Sequence, residues 1–307
     1  MEGIVFGFPW ETDLMVFIQS SASAFQTAVM SAVSLLGEEY LLVGIMAYLY
    51  LCVDKKMGSR MSAGLLVTLL GGSFIKNGVM RRRPYFDNPE IQCLRAPSGK
   101  GDVMSVAAQG FSFPSMHSAD TVVLFGTLFS WFRKKWARVL CVLLIVLTGY
   151  SRVYLGVHYP TDVLAGWLFG FIVLHVVNYV LDRSDNWLWF FAVCAILALP
   201  GWFICKTSDF FCIYGLMFGM LLAFHFEQRK VHFNNIPNSW RSIVRLVFGM
   251  VVFLGVSKGL KLPFSSEFLG CGSFAAHFVC SARYAIAAFL TMGVYPMMFK
   301  YTDRFFR

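Results

Sequence analysis

The sequence predicts an all-α, polytopic helical membrane protein, and three observations lead there. Hydrophobic residues make up 57% of the 307 positions and charged residues 14%, against roughly 45–50% and about 25% in an ordinary soluble domain. Phe alone supplies 32 residues, and the mean hydropathy is +0.63. The apolar residues also gather into runs near the length of about 20 residues that a helix needs to cross a bilayer. This composition excludes intrinsic disorder, a coiled coil, collagen and a small disulfide scaffold.

Taken in order, residues 12–36 read as a helix with Ile18, Ala22, Phe25, Val29, Val33 and Leu36 on one face and Gln19, Ser23, Gln26, Thr27, Ser31 and Ser34 around the others. A helix that is half polar lies along a membrane surface more readily than it spans. After Glu38 and Glu39, nine spans are expected near 40–54, 61–80, 118–132, 137–157, 161–181, 187–205, 209–226, 243–257 and 277–299. No cleavable signal peptide is expected, because no basic region precedes the first apolar stretch. Internal repeats and low-complexity tracts are not evident. The long loops, 81–117 and 258–276, fall on one face, and a long loop in a compact protein is more often functional than accidental.

The chain carries 26 Lys and Arg against 17 Asp and Glu, a net charge of +9. In so apolar a chain that surplus is read loop by loop, not as a sign of nucleic acid. With nine spans, Lys55, Lys56, Arg60, Arg133, Lys134, Lys135, Arg138, Arg183, Arg229, Lys230, Arg241, Arg245, Lys300, Arg304 and Arg307 collect on one face, which the positive-inside tendency makes cytoplasmic. The others, Lys76, Arg81, Arg82, Arg83, Arg95, Lys100, Arg152, Lys206, Lys258, Lys261 and Arg283, fall on the outer face and crowd the 76–117 and 151–162 regions. A cationic cluster on that side suggests an anion. The eight cysteines form no CxxC pair. Cys52, Cys141, Cys194, Cys212 and Cys280 lie in or beside apolar runs and read as small buried hydrophobes; Cys93 and Cys271 fall in outer loops, with a disulfide between them disfavoured.

Three segments carry chemistry: Lys76-x6-Arg83-Pro84, Pro114-Ser115-Met116-His117, and Ser151-Arg152-x5-His158-x3-Asp162. Two guanidinium groups and an ammonium can neutralise a tetrahedral oxyanion, Arg by its fork geometry and Lys as a point charge. Ser115 and Ser151 add hydroxyls. Pro114 and Ser115 look like the start of a helix whose free N–H groups and positive dipole end would face a bound anion. His158, with Asp162 holding one ring nitrogen, suits a nucleophile. His117 suits a general acid on the leaving oxygen and then a base for water. Phosphoryl transfer asks mainly for positioning and charge stabilisation, so three cations can act where a metal ion acts elsewhere; no metal and no cofactor are expected.

These segments resemble the three signature motifs of the type 2 phosphatidic acid phosphatase superfamily, which includes lipid phosphate phosphatases, undecaprenyl diphosphate phosphatases, sphingosine phosphate phosphatases and glucose-6-phosphatase. The resemblance implies that Lys76, Arg83 and Arg152 bind phosphate with support from Ser115 and Ser151, that His117 is the acid, that His158 is the nucleophile and that Asp162 assists it. It also implies a six-helix phosphatase core over 1–182, an N-terminal interfacial helix and five spans, with about four additional C-terminal spans in 183–307. The expected substrate is a lipid phosphate or diphosphate entering from the bilayer, at an extracytoplasmic site, with the bacterial cytoplasmic membrane favoured over the endoplasmic reticulum. A soluble ester such as glucose 6-phosphate is the alternative within enzymes. A transporter or a non-catalytic lipid-binding protein is the alternative of another class, disfavoured because the ionisable groups gather at one membrane edge rather than near the midplane. One departure stands out: Met116 occupies the place of the usual glycine.

Other polar residues receive plainer readings. Arg81 and Arg82 read as interfacial anchors rather than headgroup contacts, and His175 as a neutral histidine bonded to a neighbouring helix. His225, Glu227 and Arg229 read as a solvated edge opposite the site. His277 and Arg283 are weak candidates for a substrate entrance. Trp131, Trp136, Trp187, Trp189, Trp202 and Trp240 fit the interfacial aromatic belt.

Overall fold

Serine, proline and glycine set where the chain starts and stops its helices. The computed structural model describes residues 3–97, 101–184, 186–237 and 240–301, so Lys100, Arg304 and Arg307 of the charge pattern lie outside the described residues. The expected helix over 12–36 is two helices, α1 (Pro9–Ser20) and α2 (Ala24–Ser34). Ser23 separates them by capping α2: its hydroxyl takes the Gln26 N–H at 3.2 Å while the Gln26 side chain takes the Ser23 N–H at 3.1 Å. A tight turn, Leu35–Gly37, leads to α3 (Glu39–Tyr48), which continues through a wider turn at Leu49–Val53. Then come α4 (Lys55–Val79), α5 (Met116–Trp131), α6 (Lys135–Tyr154), α7 (Pro160–Arg183), α8 (Trp187–Ala198), α9 (Ser208–Phe226), α10 (Trp240–Gly259) and α11 (Phe274–Phe289). Among the described residues no strand forms; the single β feature is an isolated bridge between Ile4 and Arg81.

Among the described residues six helical segments are long and apolar enough to cross a bilayer: α6, α7, Trp187–Ile204, Ser208–Val231, α10 and Phe274–Tyr301. Four of them follow α7, the number expected of the C-terminal half. Ala24–Gly37 and Tyr40–Val53 reach the same standard only together, bent by 51°. The count falls short of nine because α5 has only 16 residues and because α4 carries Lys55, Lys56, Arg60 and Lys76 along its 25 residues. On α6, Val139, Val142, Leu143 and Val146 are exposed while Cys141, Thr148, Ser151 and Arg152 are buried, the division expected of a helix with lipid on one side and protein on the other.

The chain forms two compact units. The first comprises residues 1–42 and 71–176, the second 43–70 and 177–307. In the first, Met15, Tyr85, Ile91, Val153, Tyr154, Leu155, Val157, Tyr159 and Val163 make an apolar core. Complete burial of one such side chain, Leu155 for example, contributes about 2 kcal/mol. Two glycines one turn apart let α7 approach α5 closely, since a side chain at Gly166 would meet the Ser115 carbonyl at 2.4 Å and one at Gly170 the Ala119 carbonyl at 2.4 Å.

The second unit corrects several readings. Glu227 is buried and ion-paired with Lys55 at 2.7 Å, so it is not a solvated edge, whereas Arg229 is exposed as expected. Cys212 and Cys280 are not separate thiols: they form a disulfide between α9 and α11, with Cα atoms 5.4 Å apart. Cys93 and Cys271 are both free. His277 stacks on Phe211 at 3.7 Å and Arg283 donates to the Ser257 carbonyl, contacts that use both groups for packing. In the first unit, His175 bonds the Phe171 carbonyl one turn back on its own helix rather than a neighbouring one.

Candidate active site

Each of the three sequence segments stands at a helix terminus in the first unit. At the end of α4, Met80 adopts φ 50°, the left-handed conformation that ends a helix, and the chain leaves as Arg81-Arg82-Arg83. Lys76, in the last turn of α4, donates to the Phe111 carbonyl at 2.7 Å. Arg83 donates to the carbonyls of Gln109 at 2.8 Å, Gly110 at 3.1 Å and Val157 at 2.9 Å. Lys76 and Arg83 therefore grip the same stretch of backbone, 109–111, just ahead of the second segment.

That segment opens α5. Ser115 is the N-cap, its hydroxyl accepting from the Ser118 N–H and from the Ser118 hydroxyl at 2.9 Å, and the helix begins at Met116, two residues after Pro114. Met116 thus has ordinary helical backbone, and no left-handed conformation is required there. Its bulk is met by Gly72 on α4, where an added Cβ would lie 2.1 Å from the Met116 sulfur. His117 follows, with Gly37 against it: a side chain at 37 would come within 2.8 Å of the His117 Cβ.

The third segment joins α6 to α7. Arg152, in the last turn of α6, donates to the Ser34 hydroxyl at 2.5 Å, while the Ser151 hydroxyl turns back to the Thr148 carbonyl at 2.7 Å. Gly156, at φ 77°, turns the chain toward His158. Asp162 sits in the first turn of α7, its Oδ2 accepting the Tyr159 N–H at 2.8 Å and standing 3.6 Å from His158 Nδ1. The Asp162 carbonyl accepts the Ser115 N–H at 3.0 Å, which ties the second segment to the third. On the other ring edge, Arg83 Nη1 stands 3.3 Å from His158 Nε2.

Ser115, Ser151, Arg83, Arg152, His158 and Asp162 are all buried. Burial, and then the positive charges of Arg83, Arg152 and Lys76, hold His158 well below the ordinary histidine value, so its ring is neutral near pH 7. Burial, and then the charges of Arg152, Arg83 and Lys76, push the His117 ring in the same direction while no anion is bound, which sets both histidines in one cationic cluster. Among the described residues neither Arg83 nor Arg152 has a carboxylate within ion-pair distance, whereas Arg82 pairs with Asp87 and Arg95 with Glu38. A buried guanidinium without a counter-charge costs several kcal/mol, a cost that an anionic ligand would offset. Among the described residues no three His, Cys, Asp or Glu side chains gather as a metal-ligand set.

Arg81 is not the interfacial anchor expected. Its guanidinium is fully buried and ion-paired with Glu11 at 2.7 Å and with Asp162 at 2.6 Å. It also donates to the Phe6 carbonyl and the Thr161 hydroxyl, and lies 3.9 Å from the Tyr159 ring centre. The run Arg81-Arg82-Arg83 does not say which member faces inward on which partner, so sequence reasoning missed this contact. Glu11 gave no signal beyond being an acid next to an aromatic-rich N-terminus. Burial pushes its carboxyl up, but the Phe8 amide, both Thr161 donors and Arg81 outweigh that and hold it below the usual carboxylate value. Gly156 was legible only as a glycine between Arg152 and His158.

The description "PAP2 superfamily" matches residues 59–185, and "PAP2 superfamily phosphatase, transmembrane extension" matches residues 211–303. The chain is 29% identical to an undecaprenyl-diphosphatase of Sulfolobus acidocaldarius over 52% of its own length and 73% of that protein. It is 37% identical to a lipid A 4'-phosphatase of Bacteroides thetaiotaomicron over 33% of its length and 46% of the relative. It is also 36% identical to phosphatidylglycerophosphatase B of Bacillus subtilis, over 24% of its length and 40% of the relative. No solved structure matches the chain. The two family matches cover the three motif segments and most of the C-terminal helices, and the chain belongs to the PAP2 superfamily as a multi-pass helical membrane phosphatase.

Proposed function

We propose that the protein removes the terminal phosphate of a lipid phosphate or lipid diphosphate through a phosphohistidine on His158, without a metal ion. The observation that carries this is the pair of buried guanidinium groups, Arg83 and Arg152, that lack a carboxylate partner among the described residues and act on a neutral His158. A phosphate would take up the donors that Arg83, Lys76 and Arg152 now direct at backbone carbonyls and the Ser34 hydroxyl. Once Arg83 turns to the phosphate, the Nε2 lone pair of His158 is free to attack phosphorus. The P–N bond forms as the P–O bond to the leaving group breaks, and His117 delivers a proton to the departing oxygen. In the second step His117 takes a proton from water, the water oxygen bonds to phosphorus, the P–N bond breaks and inorganic phosphate leaves. Asp162 accepts the Nδ1–H and stabilises the positive charge of the phosphorylated ring.

A lipid substrate is favoured because the site is built at the ends of membrane helices and because the relatives are named for lipid-linked phosphates. In this reading 1–182 is the phosphatase core and 183–307 an added helical extension, and the site faces outward from a bacterial cytoplasmic membrane. The span order expected from the sequence places Cys212 and Cys280 near outer ends, and their disulfide suits an oxidising compartment. The test is phosphate release in detergent from phosphatidic acid, a polyprenyl diphosphate, sphingosine phosphate and glucose 6-phosphate, with and without EDTA. Release from one or more lipids that persists in EDTA is expected. No release from any lipid refutes the lipid reading, and loss in EDTA refutes metal independence.

A further inference from the structure

We propose that Glu11 and Arg81 are positioning residues that hold the Asp162 carboxylate toward the proposed nucleophile, His158. The inference rests on the phosphohistidine reading and adds to it a residue from α1, outside the matched stretch 59–185. It starts from how Asp162 is held. Arg81 Nη1 fixes Oδ1 at 2.6 Å and the Tyr159 N–H fixes Oδ2 at 2.8 Å, so the plane of the carboxylate is set and Oδ2 faces Nδ1 across 3.6 Å. Among the described residues the Nδ1 atom has no hydrogen-bond partner. A small closure turns that gap into a hydrogen bond when the ring becomes cationic.

Charge supplies the second half of the reasoning. Arg81, Glu11 and Asp162 are at most 1% exposed at their side chains, so their charges act at close range with little screening. Had Arg81 faced Asp162 alone, the pair would be neutral, and the carboxylate would have little attraction left for a phosphorylated histidine. Glu11 takes the other hand of the same guanidinium at 2.7 Å, leaving one net negative charge in the cluster. Glu11 also accepts the Thr161 N–H at 3.1 Å and the Thr161 hydroxyl at 2.6 Å, so one carboxylate from α1 binds both Arg81 and the first turn of α7, where Asp162 lies. The Phe6 and Tyr159 rings flank the guanidinium and keep the cluster dry. The charged and titratable groups around Asp162 are Arg81, Glu11, His158, Tyr159 and Arg83.

A purely structural role would also show such contacts, so the test reads turnover separately from folding. Wild type, Glu11→Gln, Arg81→Met and Arg81→Lys are purified in detergent, checked for monodisperse elution, and assayed for kcat and KM on dioleoyl phosphatidic acid and for labelling by 32P-phosphatidic acid after quenching in alkaline SDS. Expected are a fall in kcat of about tenfold for Glu11→Gln and about 100-fold for Arg81→Met, with partial recovery in Arg81→Lys and KM within about threefold of wild type. Glu11→Gln keeps the shape of the side chain and an oxygen for the two Thr161 donors while removing the charge that faces Arg81, so it reports even where Arg81→Met does not fold. A monodisperse Glu11→Gln protein with wild-type kcat, or variants that change KM alone, overturns the proposal. A wild type that hydrolyses phosphatidic acid without labelling His158 overturns the underlying phosphohistidine reading instead.

Discussion

Replacing Gly156 by alanine should cost the protein both stability and turnover. Gly156 has φ 77°, and a Cβ there would lie 2.1 Å from the Gln92 carbonyl oxygen. The left-handed conformation alone costs a non-glycine residue roughly 1–2 kcal/mol. Relief of the contact requires a separation larger by about 1 Å, since carbon and oxygen approach no closer than about 3.3 Å. Gln92 is not free to retreat, because its carbonyl accepts from Gln19 Nε2 at 2.9 Å and its N–H donates to Gln19 Oε1 at 2.9 Å. Losing these bonds costs about 1 kcal/mol each, which brings the total to about 3–4 kcal/mol. If residues 155–157 move instead, the Val157 carbonyl leaves Arg83 Nη1, now 2.9 Å away, and His158 moves with it. Thermal unfolding in detergent should show a midpoint lower by about 5–15 °C, with phosphate release reduced in parallel. Gly255→Ala serves as control, because nothing lies within 4 Å of an added Cβ there. A Gly156→Ala protein with unchanged midpoint and turnover refutes the close approach.

Further outcomes follow from the same geometry. His158 is held well below its ordinary value by burial and by neighbouring cations, so the acid limb of kcat/KM should lie well below pH 6.5, and a limb at or above that value contradicts the assignment. The sign for stability is fixed as well: below about pH 6.5 the unfolded chain binds a proton that native His158 refuses, so its contribution falls by about 1.4 kcal/mol per pH unit on acidification, measurable as a denaturation midpoint against pH. Met116→Gly should lose about 1–3 kcal/mol of packing against Gly72 while kcat stays within about threefold; a tenfold rise in kcat would show that Met116 restrains the site. Maleimide labelling of the denatured protein should reach the six free cysteines before reduction and two more, Cys212 and Cys280, only afterwards.

What could be read before any coordinates follows from what each signal depends on. Helical membrane character rests on long-range composition, and Lys76, Arg83, His117, Arg152 and His158 rest on spacing that puts each at a helix end. Helix limits were harder: 12–36 breaks because Ser23 with Gln26 forms a cap that a count of apolar positions does not register. Arg81 was misread because three consecutive arginines look alike until Glu11 and Asp162 are known to converge on one of them. Glu227 and the Cys212–Cys280 disulfide were missed for the same reason, since each depends on a partner 172 or 68 positions away. Met116 stood out for occupying the place of a glycine, yet the helix begins at that residue and the glycine that makes room for its side chain sits on another helix, at position 72.

The most direct test of the central claim is to trap the covalent intermediate. Protein mixed with 32P-labelled lipid phosphate and quenched within milliseconds should carry label that is stable to alkali, labile to acid and located by peptide mapping on His158, with none on His158→Asn. Hydrolysis by wild type with no trapped label, or with label on another residue, would contradict the account.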